Sequence, residues 1–201
     1  MNATTIGAIA AGAVILGLSL LGARHPAIHP TEQRVFRAVN GLPDWLYWPL
    51  WLPMQLGNLV VGTAAGLVLA LVWGGWLLAA GVVAAAGLKL LAERLIRRWM
   101  ADYLSVRQRP GTSEPGAHLR GSDVPSSGMS FPSGHIVLVA AVTAVIADDL
   151  AIAWLGIPAL LTVAVMVGRV FVGAHNPLDV TAGLGAGLLA GGLVGLALNL
   201  L

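Results

Sequence analysis

The chain has 201 residues, 57% of them hydrophobic and only 10% charged, where a soluble domain carries about 25% charged residues. With a mean hydropathy of +0.84, it falls outside the soluble globular class and reads as an integral membrane protein. It has no cysteine, which excludes disulfides and thiolate metal sites. Its basic residues, which set a pI of about 9.7, flank apolar runs, so anionic headgroups or lipid phosphates are the expected partners and nucleic acid is not.

In chain order, the apolar run Thr4–Ala23 has no Lys or Arg before it and is followed by Arg24 and His25. A cleaved signal peptide has its positive charge in front, so a retained transmembrane helix is expected. Between Arg24 and Pro53 lie a short helix beginning near Thr31 and then Trp45, Tyr47, Trp48 and Trp51 among prolines. Those aromatic residues read as an interfacial belt without chemistry. The next run, Met54–Ile96, is about 43 residues, roughly 64 Å of helix against a hydrocarbon core of about 30 Å. It must be two helices, and the break is expected at Trp73-Gly74-Gly75-Trp76, where paired glycines turn the chain. The segment Glu93–Met100 reads as an interfacial anchor, and Lys89 with Glu93 as a snorkelling pair.

Ala101–Ser130 is rich in Gly, Pro and Ser and lacks apolar periodicity, which predicts a loop or lid. His135–Val172, split at Asp148-Asp149, and Pro177–Leu201 complete the count. The expected fold is all-α: a single-domain bundle of six transmembrane helices over residues 1–201, with the polar active-site loop between helices 3 and 4. Gly183, Gly187, Gly191 and Gly195, like Gly62 and Gly66, predict close helix packing.

Six crossings bring three polar clusters to one face: Arg107-Gln108-Arg109-Pro110, Phe131-Pro132-Ser133-Gly134-His135, and Arg169 with His175 and Asp179. An arginine near the end of a membrane-length apolar segment is costly and predicts a polar site. Asn176-Pro177 resembles an N-cap followed by a first-turn proline, which puts His175 just before a helix and Asp179 in its first turn. Two histidines, an aspartate and several arginines suit phosphoryl transfer through a covalent intermediate. Arginines neutralise phosphate oxygens, a neutral imidazole oriented by a carboxylate attacks phosphorus, and a second histidine protonates the leaving oxygen. Ser133-Gly134-His135 at a helix start offers backbone N–H groups to an anion. Each residue also has a plain reading: Asp179 or Ser133 as helix caps, His135 as an interfacial histidine, Arg107 and Arg109 as headgroup contacts. The joint spacing favours the catalytic set. His25, His29 and His118 read as surface residues.

These residues resemble the type 2 phosphatidic acid phosphatase superfamily, which includes polyprenyl-diphosphate phosphatases and, more distantly, vanadium haloperoxidases. Its first motif is a lysine, six residues, then Arg-Pro, and Arg109-Pro110 matches its end. Pro132-Ser133-Gly134-His135 matches the second motif in full. The third is Ser-Arg, five residues, His, three residues, Asp, matched by Arg169, His175 and Asp179. The resemblance implies a lipid phosphate phosphatase with His175 as nucleophile, Asp179 as its orienting partner and His135 as general acid. It also implies that Arg109, Arg169, the Ser133 hydroxyl and the Gly134 amide hold the phosphate, with no metal and no cofactor. Two positions depart from it: Asp102 stands where the lysine belongs and Gly168 where the serine belongs. Arg107 or Arg98 are the expected substitutes for the missing cation, and Arg107 is placed with the phosphate ligands.

All 11 Lys and Arg residues fall on or near the side holding the motifs, which predicts a cytoplasmic active site with both termini outside. The substrate is expected to be an isoprenoid phosphate or a glycerophospholipid, as monoester or diphosphate, entering sideways from the bilayer. Phosphotransfer to an acceptor other than water, and a non-catalytic lipid-phosphate binder or transporter, are the alternatives. The sequence leaves the lipid and the oligomeric state open.

Overall fold

The computed structural model describes residues 2–25, 27–103, 106–147, 149–150 and 154–201, and the regular structure within them is helical. In chain order the helices are α1 (Ala3–Gly22), α2 (Pro30–Asn40), α3 (Tyr47–Met54), α4 (Leu59–Trp73), α5 (Gly75–Tyr103), α6 (Pro110–Ser113), α7 (Gly134–Ile146), α8 (Gly156–Phe171) and α9 (Pro177–Leu198). Helices α1, α5 and α9 are long and apolar enough to cross a membrane. Helix α4 qualifies only together with the preceding Asp44–Gly57 segment, from which it is bent by 75°. Helices α7 and α8 are apolar but shorter, about 20 and 24 Å at the usual rise. Where six transmembrane helices are expected from run length, the described residues hold three helices of spanning length, one bent pair and two shorter apolar helices.

Contacts at glycines fix the directions. Gly22 lies against Leu178, Gly12 against Leu189 and Gly192 against Ile9, so α1 and α9 are antiparallel. Gly183 meets Ser133 and Ile136 while Gly191 meets Ala144, so α7 and α9 run the same way. Gly81 sits beside Val145 and Val194, and Glu93 beside Gly134, so α5 opposes both. Gly62 meets Leu138 and Gly66 meets Val142, which aligns α4 with α7, and Gly168 near the end of α8 rests on Met54. The six longer helices thus alternate in direction. Residues 27–58, 106–133 and 172–176 gather at one end, and Asn199 donates a hydrogen bond to Thr5 Oγ1 (3.4 Å) at the other.

The glycine stripes pack as small-residue seams. A Cβ on Gly183 would stand 2.7 Å from the Ser133 carbonyl oxygen, and one on Gly187 2.5 Å from that of Val137. A second stripe missing from the sequence reading faces α1: a Cβ on Gly185 would lie 2.5 Å from Leu16 N. Helix α9 therefore sits between α1 and α7 with its backbone close to both. The break at Gly74 falls where expected, and Gly75 turns the chain at φ +73°, a left-handed value that glycine adopts freely. Asp149 follows α7 in a turn, its N–H on the Ile146 carbonyl at 3.2 Å; Asp148 lies outside the described residues.

The segment read as an aromatic belt carries α3, which packs on α8. Helix α5 runs through the expected anchor into the start of the lid, ending at Tyr103. His29 is exposed as expected, yet it also caps α2, its Nδ1 accepting the Thr31 N–H at 3.2 Å.

Candidate active site

The lid closes on itself before it reaches the site. Gln108 and Met129 form an isolated antiparallel bridge, with Ser130 N–H donating to the Arg107 carbonyl (3.0 Å) and Arg109 N–H to the Gly128 carbonyl (3.2 Å). Extended backbone alternates its side chains, so Arg107 and Arg109 share a face and Ser130 lies beside them. The lid is pinned to α8 by Arg120, whose guanidinium donates to the carbonyls of Asn40, Phe171 and Leu42 and lies 4.2 Å from the Phe171 ring centroid.

His175 leaves the end of α8 in a tight turn, its N–H on the Arg169 carbonyl at 3.3 Å. Asp179, fully buried in the first turn of α9, accepts the Asn176 N–H on Oδ2 at 2.8 Å. It caps the helix and also faces the histidine. The expected direct pairing is longer than a hydrogen bond, with His175 Nδ1 and Asp179 Oδ2 3.9 Å apart. Ser130 fills the gap: its hydroxyl donates to Asp179 Oδ2 at 2.5 Å and lies 3.3 Å from His175 Nδ1. A hydroxyl has one proton, and here it goes to the carboxylate. Nδ1 must therefore carry the imidazole proton and donate to Ser130 Oγ, which leaves Nε2 with its lone pair. Burial first, then the charges of Arg169 and Arg109, holds His175 well below its ordinary value of 6.5, so the ring is neutral at neutral pH.

Arg107 does not join the phosphate ligands as expected. Only 1% exposed, it donates from Nε to Asp179 Oδ1 (3.2 Å) and from Nη2 to Glu32 Oε1 (2.6 Å). Glu32 Oε1 also accepts the Leu178 N–H at 2.9 Å, which ties α2 to the start of α9. Arg107 therefore fixes the carboxylate behind the histidine.

The other cations and donors converge. Arg109 Nη1 donates to the Ala174 carbonyl at 2.9 Å, next to His175. Arg169 is 6% exposed and its Nε has no partner among the described residues. Ser133 precedes α7 without capping it; its hydroxyl is fully buried and also unpartnered among the described residues, against the plain N-cap reading. Buried polar groups are ordinarily paired, so these two mark a place built for a polar guest at the first turn of α7, where the leading amides have no intrahelical acceptor. His135 and Arg169 line a cavity of about 50 Å³ with Tyr47, Trp51 and Asp123.

The family model for the PAP2 superfamily matches residues 74–199, taking in α5 to α9 and all three motifs. The chain belongs to the PAP2 superfamily. No curated protein matches it. Among solved structures, Aquifex aeolicus LpxE aligns at TM-score 0.67 and 20% identity, covering 82% of this chain and 93% of that one. The first transmembrane PAP2 type phosphatidylglycerolphosphate phosphatase from Bacillus subtilis aligns at TM-score 0.69 and 18% identity, covering 92% and 94%. The chain shares the fold of these two proteins.

Against the PAP2 motifs, Asp102 stands exposed on the last turn of α5. Gly168 is a packing residue: a Cβ there would come within 2.7 Å of Met54 Cγ, so α3 occupies the room a serine would need. Sequence reasoning missed Ser130, Glu32 and Gly57. Ser130 gave a signal, lying two residues before the second motif, but the pairing that brings it to His175 is long-range. Gly57 presses on the general-acid candidate, where a Cβ would be 2.6 Å from His135 Cβ and 2.7 Å from Cδ2. Gly57→Ala is expected to move the ring and lower kcat about 10–100-fold, with little change in thermal midpoint; steady-state kinetics beside a melting curve checks it.

Proposed function

We propose that this chain is a metal-independent lipid phosphate phosphatase, hydrolysing a phosphomonoester or diphosphate on an isoprenoid or glycerophospholipid through a phosphohistidine. The observation that carries this reading is the pairing of a neutral His175, backed by Ser130 and Asp179, with unpartnered Ser133 Oγ and Arg169 Nε at the first turn of α7. His175 Nε2 attacks phosphorus as the bond to the leaving oxygen breaks, and His135 gives that oxygen a proton. The charges of Arg169, Lys89 and Arg109 act on His135, and the phosphate charge balances those cations so that an imidazolium is admitted with the substrate. Water then attacks phosphorus, His135 takes its proton, and His175 is released with phosphate. Arg109, Arg169, Ser133 and the Gly134 amide hold the non-bridging oxygens, where charge grows in the transition state.

The substrate enters from the bilayer. An apolar groove of about 70 Å³ begins at Leu56, next to the site cavity, and passes Gly66, Val139 and Leu161 between α4, α7 and α8. It shares Leu69, Ile146, Pro158 and Leu161 with a larger apolar cavity of about 700 Å³, room for a lipid tail. In this reading all six longer helices of one domain cross the membrane, the short α7 and α8 among them, with the site cytoplasmic by charge asymmetry and both termini outside.

A chemical trap tests this reading. Purified protein in detergent, given a lipid phosphate labelled on phosphorus and quenched in alkali, should carry label that is stable to base and released by acid, and should release inorganic phosphate. Absence of both across isoprenoid and glycerolipid phosphates overturns the proposal. Ser130→Ala should leave the protein folded and the substrate bound while kcat falls about 10²–10³-fold, because the imidazole loses its tautomer lock; equal loss in KM and kcat would count against the relay.

A further inference from the structure

Lys89, Glu93 and Arg97 recur every four residues on α5 and therefore share a face. Lys89 Nζ lies 2.9 Å from Glu93 Oε2, and Arg97 Nη2 lies 2.8 Å from Oε1. The sequence places this ladder at the lipid interface, but the fold turns it toward the start of α7. A Cβ added to Gly134 would stand 2.6 Å from Glu93 Oε2 and 3.0 Å from Oε1. The absence of a side chain on Gly134 is what lets the carboxylate reach that turn. A carboxylate flanked by two cations thus sits against the helix start whose neighbours, Ser133 Oγ and Arg169 Nε, are buried without partners among the described residues. Arg97 Nε is a third such atom.

We propose that Glu93 is an internal anion seated at the edge of the phosphate site, and that substrate phosphate displaces it and takes over Arg97 in the role that Asp102 leaves empty. This rests on the phosphatase reading for the identity of the anion. The other candidates for that role are used or turned away: Arg107 is committed to Asp179 and Glu32, and Arg98 and Asp102 are exposed. Arg97 bears electrostatically on both Arg109 and His175, so its charge is felt where phosphorus would sit. An arginine on a long, jointed side chain can pass from a carboxylate to a phosphate without moving the helix, and its planar fork suits either. Glu93 holds it ready at the cost of competing with the substrate.

Binding of inorganic phosphate to the purified full-length chain, measured by calorimetry beside steady-state hydrolysis, tests this. Glu93→Gln removes the competing charge and keeps the shape, so phosphate should bind about 3–10-fold tighter and KM should fall. Arg97→Ala should weaken phosphate about 10–100-fold, the loss of a charged hydrogen bond, and Arg97→Lys should recover most of it. Asp102→Ala should change neither. Should Arg97→Ala not fold, Arg97→Gln takes its place. Phosphate affinity unchanged or weaker in Glu93→Gln, or unchanged on loss of Arg97, overturns the proposal. The two readings fail separately. Glu93- and Arg97-dependent phosphate binding without lipid hydrolysis keeps the anion site and removes the phosphatase. His175-dependent hydrolysis with binding indifferent to both residues does the reverse.

Discussion

His175→Ala is expected to reduce kcat for lipid phosphate hydrolysis by about 10⁴-fold or more, roughly 5.5 kcal/mol at about 1.4 kcal/mol per decade, with the fold intact. In the proposed mechanism His175 carries the covalent step, and the donors around Ser133 and Arg169 can only hold the substrate once it is gone. Phosphate release and the trapped label should vanish together; retention of hydrolysis within tenfold of the parent would remove His175 from the mechanism. The same residue sets a pH dependence. Burial and two arginines hold its proton affinity below the ordinary 6.5, so it stays neutral and nucleophilic as pH falls through 6.5, and the acid limb of kcat/KM should lie below that value. Stability follows the opposite cost. Below 6.5 the unfolded chain takes up a proton that the folded site refuses, so the unfolded state gains and the midpoint of denaturation should drop as pH is lowered. His175→Ala should flatten that drop.

The candidate site residues were legible because each sits in a short, local pattern. Arg109, Ser133, His135, Arg169, His175 and Asp179 are fixed by spacing within motifs, and the Asn176-Pro177 helix start follows from capping chemistry. The alternation of long helices was legible from run length, and the break at Gly74 from its paired glycines. What sequence reasoning could not supply are contacts that depend on packing across the bundle. Whether Arg107 faces the phosphate or the aspartate depends on the pairing of the two lid ends, which has no periodicity to read. Glu93 and Arg97 carry the spacing of an exposed salt-bridge ladder, and only the approach of α5 to Gly134 turns that face inward. Helices α7 and α8 fell short of a full span because apolar run length counts the flanking loops as well as the helix.

The parts of the site differ in what holds them. His175 and Arg169 are tied through backbone hydrogen bonds of one turn, so their relative position is local. Asp179, Ser130 and Arg107 come from α9 and the two ends of the lid, and Glu32 from α2, so the histidine's orientation depends on tertiary structure meeting at one guanidinium.

That guanidinium should dominate stability. Arg107→Met leaves the Asp179 carboxylate, fully buried, and the nearly buried Glu32 carboxylate without the cation between them, and breaking a buried pair in this way costs about 3–5 kcal/mol. Denaturation in detergent should show that loss, and kcat should fall with it because Asp179 no longer fixes Ser130. A packing role alone predicts a smaller and different result, since Met fills much of the volume. Adding Glu32→Gln separates the two. With electrostatics in control, the second change removes one of the stranded charges, and the double variant should be at least about 1 kcal/mol more stable than the sum of the single losses predicts. Simple additivity would mean that the Arg107–Glu32 pair carries no net energy and that α2 contributes nothing to the aspartate behind the nucleophile.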